Sequence, residues 1–391
     1  MVSLTTADNA LKTLYLGVLA EQLNTGVNAF LAKIQQTTAD VWGKNIVKLA
    51  PYGINGGIGA CNETGMLPAA GGNNYAQFVL SLKNLYGTIE ITDKAMLASE
   101  NSQGAFVNLL NAEMEGLLQA SKFNLGRMTY GDGSGKLAKI VSQNTTDRTI
   151  ITVDGVKNLM EGMIIDFYSI AGSLYSQGKA KTIESIDRAT NTIKIAGTST
   201  QTYSANDFIC LQSSYNQEIT GLTAIFDGAS LYGLSKSGNA WLIPYKKDSA
   251  GAINTNMMQI AMDNIETLSG GSADIIVTGY DVRRYYVDYL AKNRSNVDYL
   301  NLDGGYKALS FSGIPLVADR FVNDGTMYIL NSENFRFHQL CDWRWLESDQ
   351  GKVIRQKPDY AAYTATLVKY ADLLCERPNG QARLTGITAA A

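Results

Sequence analysis

Residues 50–75, APYGINGGIGACNETGMLPAAGGNNY, constrain the fold more than any other stretch. The segment is rich in glycine, holds two prolines, and has few strong helix or strand formers. A structureless segment of this length is unusual inside a compact domain. It is expected to be an extended arm or loop that other chains stabilise. Residues 77–98, QFVLSLKNLYGTIEITDKAMLA, follow directly. Phe78, Leu80 and Leu82 alternate, and Tyr86, Ile89 and Ile91 continue around Gly87, which predicts a long β-hairpin. A two-stranded ribbon is marginal on its own in water, so this one must lie on something.

Further elements can be read from periodicity. Residues 8–35 carry Leu11, Leu14, Tyr15, Val18, Leu19 and Leu23 on one helical face, with Gly26 bending or ending the helix. Residues 102–128 form the strongest helix, with Phe106, Leu109, Leu110, Met114, Leu117, Leu118, Leu125 and Met128 in one stripe. About 26 residues at roughly 1.5 Å each make a rod of about 40 Å. The cluster Gly131–Gly135 stops it. The period then changes. Short strands at 150–153, 163–168, 182–186, 192–195 and 208–211 come about ten residues apart, which predicts a small inserted β-barrel or sandwich.

Mixed α and β structure returns after residue 220. Helices are expected at 254–269 and 281–292 around a buried strand, DIIVT, at 274–278. Residues 305–335 read as short strands joined by tight turns, with Asn323-Asp324-Gly325 as one of them. Residues 335–346 alternate aromatics, and Phe335, Phe337, Trp343 and Trp345 should share one face, either as core or as a patch between subunits. A long strand at 363–374 and a closing strand in the tail complete the chain.

Composition narrows the function classes. The chain has 391 residues, 45% of them apolar and only 18% charged, with a formal net charge of −3. That length suits two or three domains. A surface poor in charge and rich in Tyr and amides suits broad protein–protein contact. No basic field exists to grip nucleic acid. The four cysteines are far apart and have no metal spacing. There is no signal-like start and no apolar run of about 20 residues, so neither a secretory leader nor a membrane span is expected.

Catalytic motifs are absent. GDGSGK at 131–136 imitates a phosphate loop, but Tyr130 stands where its first glycine belongs and Leu137 where Ser or Thr is required. His338 is the only histidine. It sits three residues from Cys341 in an expected strand, where odd offsets face opposite ways. No enzyme activity, cofactor or metal is expected.

Taken in order, these elements resemble the major capsid protein of tailed bacteriophages, whose fold also builds encapsulin shells. The resemblance rests on GINGGIGACNETGMLP (53–68), LYGTIEITDKAMLAS (85–99), GYKALSFSGIPLVAD (305–319) and YADLLCERPNGQARLTGI (370–387). It covers nearly all of the chain apart from 137–215. It implies an α+β capsid fold with an N-terminal arm at 1–75, an extended β-hairpin loop at 76–101, and the spine helix of a peripheral domain at 102–136. It further implies an inserted β domain at 137–218, a mainly axial domain at 219–334, and peripheral-domain strands at 335–391.

The implied function is structural. Pentamers and hexamers of the chain would close an icosahedral shell around viral double-stranded DNA, in a virion assembled in the host bacterial cytoplasm. Implied partners are other copies of the chain, a separate scaffolding protein, a portal protein and decoration proteins. DNA would be enclosed without sequence-specific binding, and no membrane is involved. Assembly contacts are expected at Lys83, Tyr86, Ile89, Lys94, Trp343 and Trp345. Some relatives join Lys to Asn covalently, but nothing here marks an Asn partner. The alternatives are an encapsulin-type compartment and a phage tail or β-module protein; the long spine helix argues against the latter.

Overall fold

The computed structural model describes residues 29–39, 41, 45–94, 103–292, 299–301, 307–347 and 353–390. Most of the helix expected at 8–35 lies outside them. The chain divides into two compact units, residues 1–123 with 223–391, and residues 124–222.

The first unit begins with the short helix α1 (Ala29–Lys33) and strand β1 (Gln35–Thr37). Strands β2 (Ile46–Tyr52) and β3 (Asn74–Leu80) then pair antiparallel over their full length, from Ile46 opposite Leu80 to Tyr52 opposite Asn74. Strand β4 (Lys83–Thr92) does not pair with β3. Its partner is a strand about 280 residues further on, with Leu85 opposite Lys369. The hairpin expected at 76–101 is therefore replaced by one at 46–80. Both strands of the expected ribbon exist, but each has a partner elsewhere. The physical reason is Ser81-Leu82, which joins two strands of different sheets rather than turning one onto the other.

Helix α2 spans Gln103–Tyr130, 28 residues or about 42 Å. Leu117 packs on Gly87 of β4, where a Cβ would stand 2.7 Å from the Leu117 Cδ1. The missing side chain is what lets helix and strand approach. Phe123 stacks edge-on against Phe321 at 5.3 Å.

The second unit holds strands β5 (Lys136–Gln143), β6 (Ile150–Val153), β7 (Ile164–Tyr168), β8 (Lys181–Asp187), β9 (Thr192–Ile195) and β10 (Phe208–Leu211). They close into a barrel in the order β10-β5-β6-β9-β8-β7. Alternate residues fill it: Ile140, Ile151, Val153, Ile165, Phe167, Ile183, Ile193, Ile195 and Ile209 are all buried. Two buried aspartates tie its loops. Asp166 accepts from the amides of Ala180 and Ser213, and Asp207 accepts from Ile170, Ser204 and the Tyr175 hydroxyl.

The glycines of the phosphate-loop look-alike do conformational work at the barrel's entrance. Gly133 and Gly135 have φ of +79° and +77°, values that favour glycine. The Asp132 carboxylate accepts from the Ser134 amide and hydroxyl. The returning chain is held beside this turn, with the Asn216 amide donating to the Ser134 carbonyl at 2.9 Å. Arg127 and Glu218, both buried, make a bidentate pair at 2.8 and 2.5 Å.

The first unit resumes through α3 (Leu222–Asp227) and a tiny ribbon, β11 (Ser230–Leu231) and β12 (Leu234–Ser235), closed by Tyr232-Gly233. Then come β13 (Tyr245–Lys247), β14 (Gly251–Ala252), helix α4 (Thr255–Ser269), β15 (Ile275–Thr278) and helix α5 (Tyr280–Lys292). The Asn254 side chain caps α4 by accepting from the Met257 amide, and Gly270 at φ +66° ends it. Strands β16 (Tyr299–Asn301), β17 (Lys307–Phe311), β18 (Ile314–Ala318) and β19 (Met327–Leu330) follow.

Last come β20 (Phe335–Trp345), β21 (Arg355–Gln356), β22 (Ala362–Cys375), β23 (Ala382–Leu384) and β24 (Ile387–Thr388). A seven-stranded mixed sheet runs β13-β23-β19-β15-β18-β17-β16. Met257, Met258, Ala261 and Ile265 of α4 and Val282, Tyr286 and Leu290 of α5 share one core with Ile276, Leu316 and Ile329 of that sheet. A second sheet runs β1-β20-β22-β21, with β4 on β22. This sheet puts the β4 strand and the C-terminal strands side by side, so distant parts of the chain meet in one layer.

Candidate assembly surface

The β2–β3 hairpin exposes a group of large apolar side chains in the first unit. Alternation along its strands buries Ile46, Ala50, Phe78 and Leu80 on one face. Its other face exposes Val47, Leu49, Tyr75 and Val79. A half-buried strand would put polar residues there. Beyond the strands, residues 53–73 are exposed except for half-buried Gly57. Ile54, Ile58, Met66 and Leu67 are 76%, 76%, 94% and 83% exposed. Glu63 is the sole charge in that stretch.

The tip is nevertheless an organised ribbon. Gly57 and Gly71 touch backbone to backbone, where a Cβ on Gly71 would stand 2.4 Å from the Gly57 nitrogen. The Asn55 side chain accepts from the Gly57 amide at 2.9 Å, and the Gly65 amide donates to the Asn62 carbonyl at 2.8 Å. The two arms therefore run together to a tight turn near Asn62–Gly65. Glycine serves here by letting two backbones meet.

The root of the hairpin is firmly seated. Tyr52 stacks on Trp241 at 5.1 Å with the planes 5° apart. Phe78 lies against Tyr232 and Trp241 at 5.4 and 5.9 Å. Lys48 pairs with Glu376, which also accepts from Arg336 at 3.3 Å.

The residues expected at assembly contacts fall in two groups. Tyr86 is exposed on β4 and meets Tyr370 edge-on at 6.2 Å, Lys94 is exposed, and Lys83 is half-buried. Ile89, in contrast, is buried. Trp343 and Trp345 are 4% and 2% exposed, so they fill the chain's own core and offer no patch to a neighbour. Phe335 and Phe337 are buried with them, so the four aromatics share the core face that their alternation predicts, despite two register shifts in β20 around Cys341. The tip residues Ile54, Ile58, Met66 and Leu67 were missed. The signal for them was present, as isolated large apolar residues set among glycines and amides in a segment expected to need other chains.

Buried charge elsewhere in this unit is structural. The Lys369 ammonium is fully buried and donates to Gln339 at 2.7 Å and Asp342 at 2.8 Å. The Phe337 and Trp343 rings lie 5.4 and 5.8 Å from it. Burial holds its pKa below the ordinary lysine value, and Asp342 partly opposes that shift. Among the described residues, no three His, Cys, Asp or Glu side chains gather as metal ligands, and no helix is long and apolar enough to cross a membrane.

No family model matches the chain, and no curated protein matches it in sequence. Solved structures do match. The cyanophage A-1(L) capsid asymmetric unit aligns with a TM-score of 0.55 at 13% identity, covering 96% of this chain and 93% of that one. The capsid of Myoviridae phage XM1 gives 0.49 at 9% identity, with 92% of each chain covered. The SrpI encapsulin of Synechococcus elongatus PCC 7942 gives 0.45 at 8%, covering 92% and 87%. The first of these carries the fold assignment: the chain has the α+β fold of a phage capsid protein.

Proposed function

We propose that this chain, with the fold of a phage capsid protein, is the repeating subunit of a closed icosahedral shell, and that the β2–β3 hairpin is its main clamp on a neighbouring copy. The observation that carries this reading is the hairpin tip. Four large apolar side chains stand open on an ordered ribbon with almost no charge. A monomer has no use for such a surface, and a shell covers it. A contact between two unlike surfaces of the same chain repeats around a ring, as pentamers and hexamers require.

The remaining parts of the reading follow from composition. A net charge of −3 limits repulsion among many copies. It also suits a shell that confines double-stranded DNA without gripping it. Scaffolding, portal and decoration proteins complete the proposed partner set, in a virion built in a bacterial cytoplasm. The function is structural, with no catalytic step assigned to any residue.

The test is electron microscopy of the purified chain, alone and with its candidate scaffold, beside size-exclusion light scattering. Closed shells or rings of five or six subunits are expected. A chain lacking residues 54–72 should stay folded and fail to close shells. A full-length chain that remains a 42.4 kDa monomer under crowding and with scaffold would overturn the proposal. Shells loaded with a cargo enzyme instead of DNA would move it to the encapsulin class.

A further inference from the structure

Tyr232 has an unusual set of roles for one side chain. It occupies the first position of the two-residue turn between β11 and β12, at φ +50°, with Gly233 at +86°. A bulky residue in the left-handed region is strained, and such strain persists only where the surroundings over-determine it. Those surroundings reach in three directions. The Tyr232 carbonyl accepts from the Val79 amide of the hairpin at 3.0 Å. Its ring lies 5.4 Å from Phe78 on the same strand. Its buried hydroxyl donates to the Leu373 carbonyl at 3.0 Å and accepts from the Cys375 amide at 2.8 Å, both on β22.

One residue therefore joins the hairpin root to the long strand of the second sheet. Trp241 completes the seat by stacking on Tyr52 of the opposite hairpin strand and lying against Phe78. Outside the seat, Gly53 at φ +67° begins the exposed tip.

We propose that Tyr232 and Trp241 are the positioning residues of the hairpin: they fix the direction in which it leaves the chain, and through it the spacing between copies. The first half stands on the geometry above. The second half rests on the proposed shell function. A tyrosine serves here because its backbone and ring hold the hairpin strand while its hydroxyl holds β22. Phenylalanine would keep the ring and the carbonyl contact but release β22. Asparagine would suit the turn better but lose both the ring and the bridge.

Hydrogen exchange of the unassembled chain tests the seat directly, using Tyr232→Phe. Amides of 47–50, 52 and 74–80 are expected to exchange about tenfold faster, the scale of a lost buried hydrogen bond. Amides of 275–278 and 327–330 should not change. Trp241→Leu should act on the same hairpin amides through a different contact. Unchanged hairpin exchange in both variants, or a uniform rise across the chain, would overturn the seat. Shell diameter tests the second half. Wild-type shells of one size with a broadened size distribution in Tyr232→Phe are expected, and identical distributions would overturn it. If the wild type forms no shell, the shell function falls and takes the spacing role with it, while the exchange data still decide the seat.

Discussion

The double substitution Ile54→Ser with Ile58→Ser separates assembly from folding. Both side chains are 76% exposed in the single chain, so nearly all of their apolar surface is available to a neighbour. Covering a large aliphatic side chain stabilises by about 1.5–3 kcal/mol. With two-thirds of that realised at a real interface, the pair contributes about 2–4 kcal/mol per contact. In the proposed shell each subunit would give one hairpin and receive one, so the loss would count once per subunit. At 1.4 kcal/mol per tenfold, the concentration at which shells appear should rise by about 30- to 700-fold. Folding should hardly respond, because changes at exposed positions stay within about 0.5 kcal/mol. The assay pairs static light scattering across a concentration series with thermal unfolding of the unassembled chain. An unchanged assembly threshold would refute the clamp. A large fall in Tm at an unchanged threshold would place these side chains against their own chain instead.

Three further outcomes are expected. Glu218→Gln leaves the Arg127 guanidinium buried without its counter-charge, which should cost about 3–5 kcal/mol and expose the 124–222 unit to limited proteolysis. Gly87→Val forces a side chain into Leu117 and should destabilise the first unit by about 1–3 kcal/mol in denaturant unfolding. Lys369 has a folded pKa below its ordinary 10.5, so the unfolded chain binds the extra proton in the window between the two values. Wild-type stability should therefore rise with pH across that window relative to Lys369→Met, which lacks the titrating group. A stability difference between the two proteins that stays constant as pH rises toward 10.5 would show that the lysine is not held below its ordinary pKa.

How much the sequence discloses depends on how local each feature is. The barrel strands, α4, β15 and α5 were legible because their patterns close within ten or fifteen residues. Asn254 caps the helix that its position predicts, and Asp187 ends a strand before the turn to Thr192. Pairing was less legible. Residues 77–80 and 83–92 read correctly as strands, yet nothing nearby says that one pairs back to Ile46 and the other with residues around Lys369. Facing was legible at Phe335, Phe337, Trp343 and Trp345, which alternation puts on one face and which are all buried, but alternation does not say whether that face meets the chain's own core or a neighbour. The candidate surface was half legible: the glycine-rich segment announced its need for a partner, but its role as the tip of a hairpin required the distant strand β3.

The 124–222 unit closes on itself. Its entrance and exit meet inside the second unit. A Cβ on Gly221 would stand 2.4 Å from the carbonyl oxygens of both Met128 and Gly131, so the outgoing chain presses on the end of α2. The Arg127–Glu218 pair and the Asn216–Ser134 hydrogen bond close the same stem. The Arg127 Nε is left without a partner there, while the other two nitrogens of the guanidinium donate to Glu218. The apparent phosphate loop then has a sufficient cause: Gly131, Gly133 and Gly135 are the glycines that a helix stop and a closed stem demand.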